Sequence, residues 1–326
     1  MQSLNIPETS LKRVVIVGAG FGGLQLVKSL TSKVFQTVLI DKHNYHTFQP
    51  LLYQVATAGL EPDSIAYPIR KIFKNKIEFY FRNTSALSVD VNQNILKTSN
   101  GDLKFDYLVI ATGSTSNYFE NKNIEKLAMP MKTVPEALNL RSLFLQNFEA
   151  SLLTSDLRER ERLMNYVIVG GGPTGVELAG AMAELKSHVL PNDYPDLDIR
   201  RMKISLIEAG GSLLSAMNSK AQKTAKDYLK KLGVELYLNT FVKDYDGDSV
   251  LTSKNVLQSK TLIWAAGVKG NTIKGIPEDS VSRSRYLVND FNLIEHTKSV
   301  YAIGDVALMP SVSENGDPMV AQTAIQ

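Results

Sequence analysis

Cysteine is absent from all 326 residues. That excludes a disulfide framework, a thiolate-ligated metal site and thiol redox chemistry. Charge imbalance is almost absent too: 36 Lys and Arg against 33 Asp and Glu leave a formal net charge of +3. With no long basic tract beside it, so small an excess gives no argument for nucleic acid as a partner. No stretch approaches the ~18 apolar residues of a spanning helix, a test that leaves peripheral membrane contact open. The opening residues, Met1 to Ser10, lack a cationic start followed by an apolar core, so no secretory signal is expected. What is present is 44 % apolar and 21 % charged residues, the balance of a compact folded protein. The length suffices for two domains of ordinary size, each with its own core.

The first informative stretch is Leu11 to Gly23, LKRVVIVGAGFGG. The run Val14 to Val17 is apolar and β-branched throughout, which predicts a strand covered on both faces, as in a parallel sheet. It ends in Gly18-x-Gly20-x-x-Gly23. In a dinucleotide-binding turn the first glycine permits the tight turn. The second lets the backbone approach a pyrophosphate, and the third lets the next helix pack on the sheet. That helix is expected over Leu24 to Leu30, with its free N–H groups facing the phosphates. A second strand, Thr37 to Ile40, ends on Asp41, 23 residues after Gly18. This is the position of the acid that receives ribose hydroxyls.

The pattern recurs after about 150 residues. Tyr166 to Gly175 reads YVIVGGGPTG, with Gly170, Gly172 and Gly175 in the same spacing. Pro173 falls in the first helical turn, where its missing N–H costs little. A helix is predicted over Val176 to Ser187, then a loop from Leu190 to Arg201, then a strand from Lys203 to Ile207 ending on Glu208. A carboxylate there accepts from a free ribose 2′-OH and repels a 2′-phosphate. The following Ala209, Gly210 and Gly211 offer no cation, so NADH is expected rather than NADPH. Two such units suggest one tightly held flavin and one exchangeable nicotinamide, whose rings must stack for hydride transfer.

Between the units, Ile77 to Asp106 predicts a small antiparallel insertion with a turn at Asn100-Gly101. Tyr107 to Gly113 (YLVIATG) and Thr261 to Gly267 (TLIWAAG) are matching later strands, each ending in glycine. Val300 to Asp305 (VYAIGD) is expected to return to the first sheet and bring Asp305 to the sugar-like chain of a flavin cofactor. The second domain is then inserted into the first. The expected fold class is α/β, with two Rossmann-like dinucleotide-binding domains. The expected boundaries are 1–130 and 269–326 for a discontinuous flavin domain and 131–268 for a nicotinamide domain.

With these motifs in place, the chain resembles the type II NADH dehydrogenases, the single-subunit, non-proton-pumping NADH:quinone oxidoreductases of the two-dinucleotide-fold flavoprotein superfamily. The resemblance runs from Lys12 to Gln326. It is carried by NYHTFQPLLYQVATAGL at Asn44 to Leu60, GGGPTGVELAGA at Gly170 to Ala181, WAAGV at Trp264 to Val268, YAIGD at Tyr301 to Asp305 and AQTAIQ at Ala321 to Gln326. It implies hydride transfer from NADH to non-covalently bound FAD, then two electrons to a membrane quinone. By match of motif it implies FAD at Gly18, Gly20, Gly23, Asp41, Thr112, Gly113 and Asp305, and NADH at Gly172, Gly175 and Glu208. Glu177 would lie close to nicotinamide and flavin, either as a proton relay or in a structural role. Gln322 and Gln326 would lie near flavin and quinone. It further implies a homodimer, peripheral at the cytoplasmic side of the inner membrane. The family's C-terminal dimer and membrane elements are expected to be absent from this stretch, which alone should be soluble, with reduced flavin retention and poor quinone activity.

Other features carry less. His43 and His46 are close, but no third ligand stands at a metal-binding spacing. His46 is better read as a flavin-pocket or packing residue, Trp264 as core, and the run RERER at Arg158 to Arg162 as a solvated helix face or linker. Alternative functions are a soluble NADH oxidase, a ferredoxin reductase-like flavoenzyme, or an apoptosis-inducing-factor-like flavoprotein. None of these is separated from the first reading by the glycine motifs alone.

Overall fold

The computed structural model describes residues 3–310, 319 and 321–325. Its principal elements in chain order are β1 (Lys12–Val17), α1 (Phe21–Ser29), β2 (Phe35–Asp41), α2 (Leu52–Ala56), β3 (Phe79–Asn83) and β4 (Tyr107–Ile110). They continue with α3 (Val134–Leu153), β5 (Tyr166–Val169), α4 (Pro173–His188), β6 (Ile204–Ile207), α5 (Ser219–Lys231), β7 (Glu235–Tyr237), β8 (Thr261–Trp264), β9 (Val300–Ala302) and α6 (Ala321–Ile325). The chain divides into two compact units. One comprises residues 1–47, 66–115 and 268–326, the other residues 48–65 and 116–267. Residues 48–65 and 116–130, which the sequence places with the first domain, thus belong by compactness to the second unit.

The first unit is built on a parallel five-stranded sheet of order β9-β4-β1-β2-β3. The β-branched run of β1 alternates between two cores. Val15 and Val17 face Val38, Ile40, Leu108 and Ile110 on one side. Val14 and Ile16 face Leu24, Val27, Leu39 and Val109 on the other. Helices or loops cover each face, which is why the run carries no polar alternation. β9 pairs in parallel with β4, Val300 opposite Leu108, so the chain returns to this sheet after the second unit. The expected insertion over Ile77 to Asp106 is smaller than predicted. Its first part is β3, a parallel strand of the main sheet, and the antiparallel sheet comprises Ala86–Asp90, Ile95–Thr98 and Gly101–Lys104.

The second unit repeats the design. Met129–Pro130 lies beside β8, followed by β5, β6 and β7, all parallel. β5, β6 and β8 are buried along their whole length. Trp264 is core: it packs beside Tyr118 and Phe119 and donates its indole N–H to the Asn117 carbonyl at 2.9 Å. One sequence expectation fails here. Leu190 to Arg201 is not an open loop, because Leu190, Leu197 and Ile199 are buried and two short helical turns form. RERER forms a partly exposed helix face, in Leu157–Met164, where Glu161 pairs with Arg201 at 2.6 Å and Glu159 with Lys260 at 2.5 Å.

Candidate functional site: two glycine loops and their acids

In the first unit, β1 ends at Gly18, whose φ of +111° only glycine adopts without strain. A Cβ there would stand 2.2 Å from the Ala111 carbonyl oxygen. Gly23 is equally constrained, since its Cβ would lie 1.9 Å from the Gly18 oxygen. Gly20 differs from both: its backbone is extended, and a Cβ would meet nothing within 4 Å. This open space lies at the N-terminus of α1, which has no side-chain cap and no acid in its first turn. First-turn N–H groups that point out of the helix, a helix dipole and an absent side chain together make a cradle for an anion such as a pyrophosphate. The residues therefore fit a dinucleotide.

Asp41 closes the same loop. Its Oδ2 accepts from Ala19 N at 2.7 Å and its Oδ1 from His43 N at 2.7 Å. Its charge, after burial, helps push the Tyr45 phenol above its ordinary range. The later strand β4 brings Thr112 and Gly113 to Gly18, with Thr112 N 3.1 Å from the position of a Gly18 Cβ. The Thr112 hydroxyl donates to the Asn271 carbonyl at 2.6 Å. Gly113 sits at φ +65° with open space where a Cβ would point. Asp305, in the turn after β9, accepts from Ser114 Oγ at 2.5 Å. Ser114 was not singled out from the sequence, although it directly follows the Ala-Thr-Gly motif. α6 lies against both α1 and this turn: Ala324 stands beside Gly22 and Gly304. Gln322 on α6 is exposed, and Gln326 lies outside the described residues.

The second unit repeats the arrangement. Gly170 has φ +113°, and a Cβ would lie 2.5 Å from the Ala265 oxygen. A Gly175 Cβ would stand 1.9 Å from the Gly170 oxygen, while Gly172 opens onto free space. α4 starts with Pro173 at its first turn, has no acid there, and has no side-chain cap. Glu208 takes the place of Asp41, accepting from Gly171 N through Oε2 and from Gly210 N through Oε1, both at 2.6 Å. Among the described residues no Lys or Arg forms an ion pair with it.

Glu177 stands one turn into α4, on the wall of a cleft of about 580 Å³ formed within the second unit by α2, α4 and α5. Tyr53, Gln54 and Thr57 face it from α2 and the residue beyond, Gly180 and Ala181 from its own helix. Its side chain reaches solvent, yet enough protein surrounds the carboxyl for burial to push its pKa above the ordinary carboxylate range. Gln54 and Tyr53 are contributions the sequence motif did not single out. Of the two neighbouring histidines, His46 bonds to the first glycine loop and His43 packs beside Tyr45.

Two parallel sheets, each with a glycine loop leading into a helix and an acid at the end of the next strand, define the class of flavin- and nicotinamide-dependent oxidoreductases with two dinucleotide folds. Residues 12–326 match the pyridine nucleotide-disulphide oxidoreductase family. The chain is 35 % identical to the type II NADH:quinone oxidoreductase NdhA of Mycobacterium tuberculosis over 96 % of its length, and 33 % identical to Ndh of the same organism over 96 %. Among solved structures it resembles NDH2 from Plasmodium falciparum in complex with NADH, with a TM-score of 0.85 at 25 % identity over 91 % of the chain. It spans 69 % and 70 % of the two mycobacterial proteins and 64 % of the Plasmodium chain. Within the matched family, this chain belongs to the type II NADH:quinone oxidoreductases.

Proposed function

We propose that the protein oxidises NADH with one non-covalently held FAD and delivers the two electrons to a membrane quinone without pumping protons. The balance is NADH, quinone and one proton giving NAD⁺ and quinol. The flavin, when bound, accepts two electrons from NADH and releases them to the quinone. Gly18, Gly20 and Gly23 hold its pyrophosphate at the start of α1, and Asp41 receives its ribose hydroxyls. Thr112, Gly113 and Asp305 lie along the remainder of the cofactor. Gly172, Gly175 and Glu208 hold NADH. The observation that carries this reading is the repeated cradle: an open second glycine, an uncapped helix and a clamped carboxylate, once in each unit.

Glu208 also supports the choice of NADH. Its two oxygens already accept backbone N–H groups, and among the described residues no Lys or Arg pairs with it, so a 2′-phosphate would meet a fixed negative charge. Glu177, whose carboxyl burial makes harder to ionise, is placed to hold or pass a proton for the quinone, with Gln322 and Gln326 as further polar contacts. The same reading makes the protein a homodimer, peripheral at the cytoplasmic side of the inner membrane. Separately, no helix among the described residues is long and apolar enough to cross a bilayer.

The test is a steady-state comparison of acceptors and coenzymes with FAD-supplemented protein. NADH with a short-chain quinone is expected to turn over fastest. Oxygen and ferredoxin should be poor acceptors, and NADPH should be slower by on the order of tenfold or more in kcat/KM. Faster turnover with oxygen or ferredoxin than with quinone would overturn the acceptor assignment. Equal use of NADPH would overturn the role of Glu208.

A further inference from the structure

The middle residue of each glycine loop is held at both ends. In the first unit Ala19 N–H donates to Asp41, and the Ala19 carbonyl meets His46 Nδ1 at 2.9 Å. In the second unit Gly171 N–H donates to Glu208, and the Gly171 carbonyl accepts from Leu214 N at 2.8 Å. The two loops thus share one wiring, but the second donor differs. In the second unit it is a backbone amide. In the first it is an imidazole, delivered from a short antiparallel strand pair, Tyr45–Thr47 and Ala66–Pro68, in which His46 pairs with Tyr67.

A carbonyl oxygen can only accept, so His46 carries a proton on Nδ1. The ring is further fixed by Phe21, the first residue of α1, which meets it edge-on at 5.1 Å and 86°. His46 is half-buried and Ala19 buried, so solvent is a poor substitute partner for that carbonyl. The Ala19 carbonyl and the Gly20 N–H belong to one planar peptide, so leaving the carbonyl unpaired lets that peptide rotate and turns the Gly20 N–H away from the start of α1.

We infer that His46 is a positioning residue for the flavin pyrophosphate: its Nδ1–H sets the orientation of the Gly18 to Gly20 loop, as Leu214 N–H sets that of the Gly170 to Gly172 loop. It touches the loop rather than the reacting atoms. The inference rests on the reading of the first unit as the FAD site.

Two variants separate the hydrogen bond from packing. His46→Phe keeps a ring against Phe21 and removes the donor. His46→Asn supplies an amide N–H at the corresponding reach. FAD affinity is read by titrating the apoprotein, and the loop by the ³¹P resonances of bound FAD, which a merely structural residue would leave in place. NADH binding at the second unit and the circular dichroism of each variant control for folding. His46→Phe is expected to weaken FAD by about tenfold, within the roughly five- to hundredfold range of an unpaired buried carbonyl, and to shift the ³¹P signals. His46→Asn should recover the affinity to within about threefold of the parent. Parent-like FAD affinity and ³¹P shifts in His46→Phe would overturn the inference, as would His46→Asn failing like His46→Phe while folded. If the parent protein binds no FAD at all, the assignment of the first unit falls, and this inference with it.

Discussion

At the level of single residues, the three glycines of a loop do different work, and substitution can tell them apart. Gly20 is extended and faces open space, so Gly20→Ala leaves the fold intact and fills the cradle. Its expected signature is apoprotein stability within about 0.5 kcal/mol of the parent, with FAD bound at least about tenfold more weakly. Gly23→Ala gains helix propensity of up to about 1 kcal/mol but drives a methyl into the Gly18 carbonyl. The clash wins, and a net loss of about 1–3 kcal/mol is expected in denaturant unfolding. Equal stability of the two variants would contradict the assignment of their roles. Glu177 gives a pH-dependent contrast. Burial raises its pKa, so the folded state holds the proton more tightly than the unfolded chain. Ionising it therefore lowers stability as pH rises from the ordinary carboxylate value of 4.5 through the raised one. Glu177→Gln should melt at a higher temperature than the parent at pH 8, with the difference shrinking towards pH 4. A difference that instead grows on acidification would show that an attractive partner, not burial, governs this carboxyl.

At the level of elements, legibility in the sequence followed the distance over which each element is determined. β1 and β5 were plain because a strand covered on both faces needs an unbroken apolar run, and the glycine that ends it is forced by a nearby carbonyl. Ser219–Lys231 and Leu157–Met164 are amphipathic, but charged residues dominate both and few side chains are buried, so their apolar faces stand out weakly in the sequence. The helix face of RERER was readable, but its ion pairs were not, because the partners Arg201 and Lys260 lie 40 and about 100 residues away. The segment Phe48–Ile65 looked like part of the first fold. Its helix α2 instead packs on α3 and α4, a contact no local pattern encodes. The site showed the same division. The glycines and acids were readable, whereas Leu214 N–H, Ser114 and the bond from His46 to Ala19 depend on which backbone groups the fold brings together. One local signal is directly testable. Thr133 and Glu136 form a reciprocal capping box at the start of α3. Thr133→Ala should cost about 1 kcal/mol in denaturant unfolding and leave FAD affinity unchanged. A loss of FAD affinity in that variant would mean that α3 is coupled to the flavin cradle.

For the whole molecule, the two folds share geometry and differ in assignment. Both hold an open cradle and a clamped acid. The first is closed by a returning strand, β9, from far along the chain, with Asp305 bonded to Ser114. The second holds Glu208 on two backbone N–H groups, with no Lys or Arg paired to it among the described residues. This asymmetry supports FAD as the resident cofactor of one fold and NADH as the passing ligand of the other. It also agrees with a cysteine-free chain in a family whose description includes disulphide chemistry: the electrons have no thiol to go to here. The most direct test is anaerobic rapid mixing of the FAD-loaded protein, first with NADH and then with a short-chain quinone. NADH is expected to bleach the visible flavin band, and quinone to restore it with one quinol formed per flavin. Flavin that NADH bleaches but quinone does not reoxidise, or quinone reduction with no change in the flavin, would contradict the proposed function.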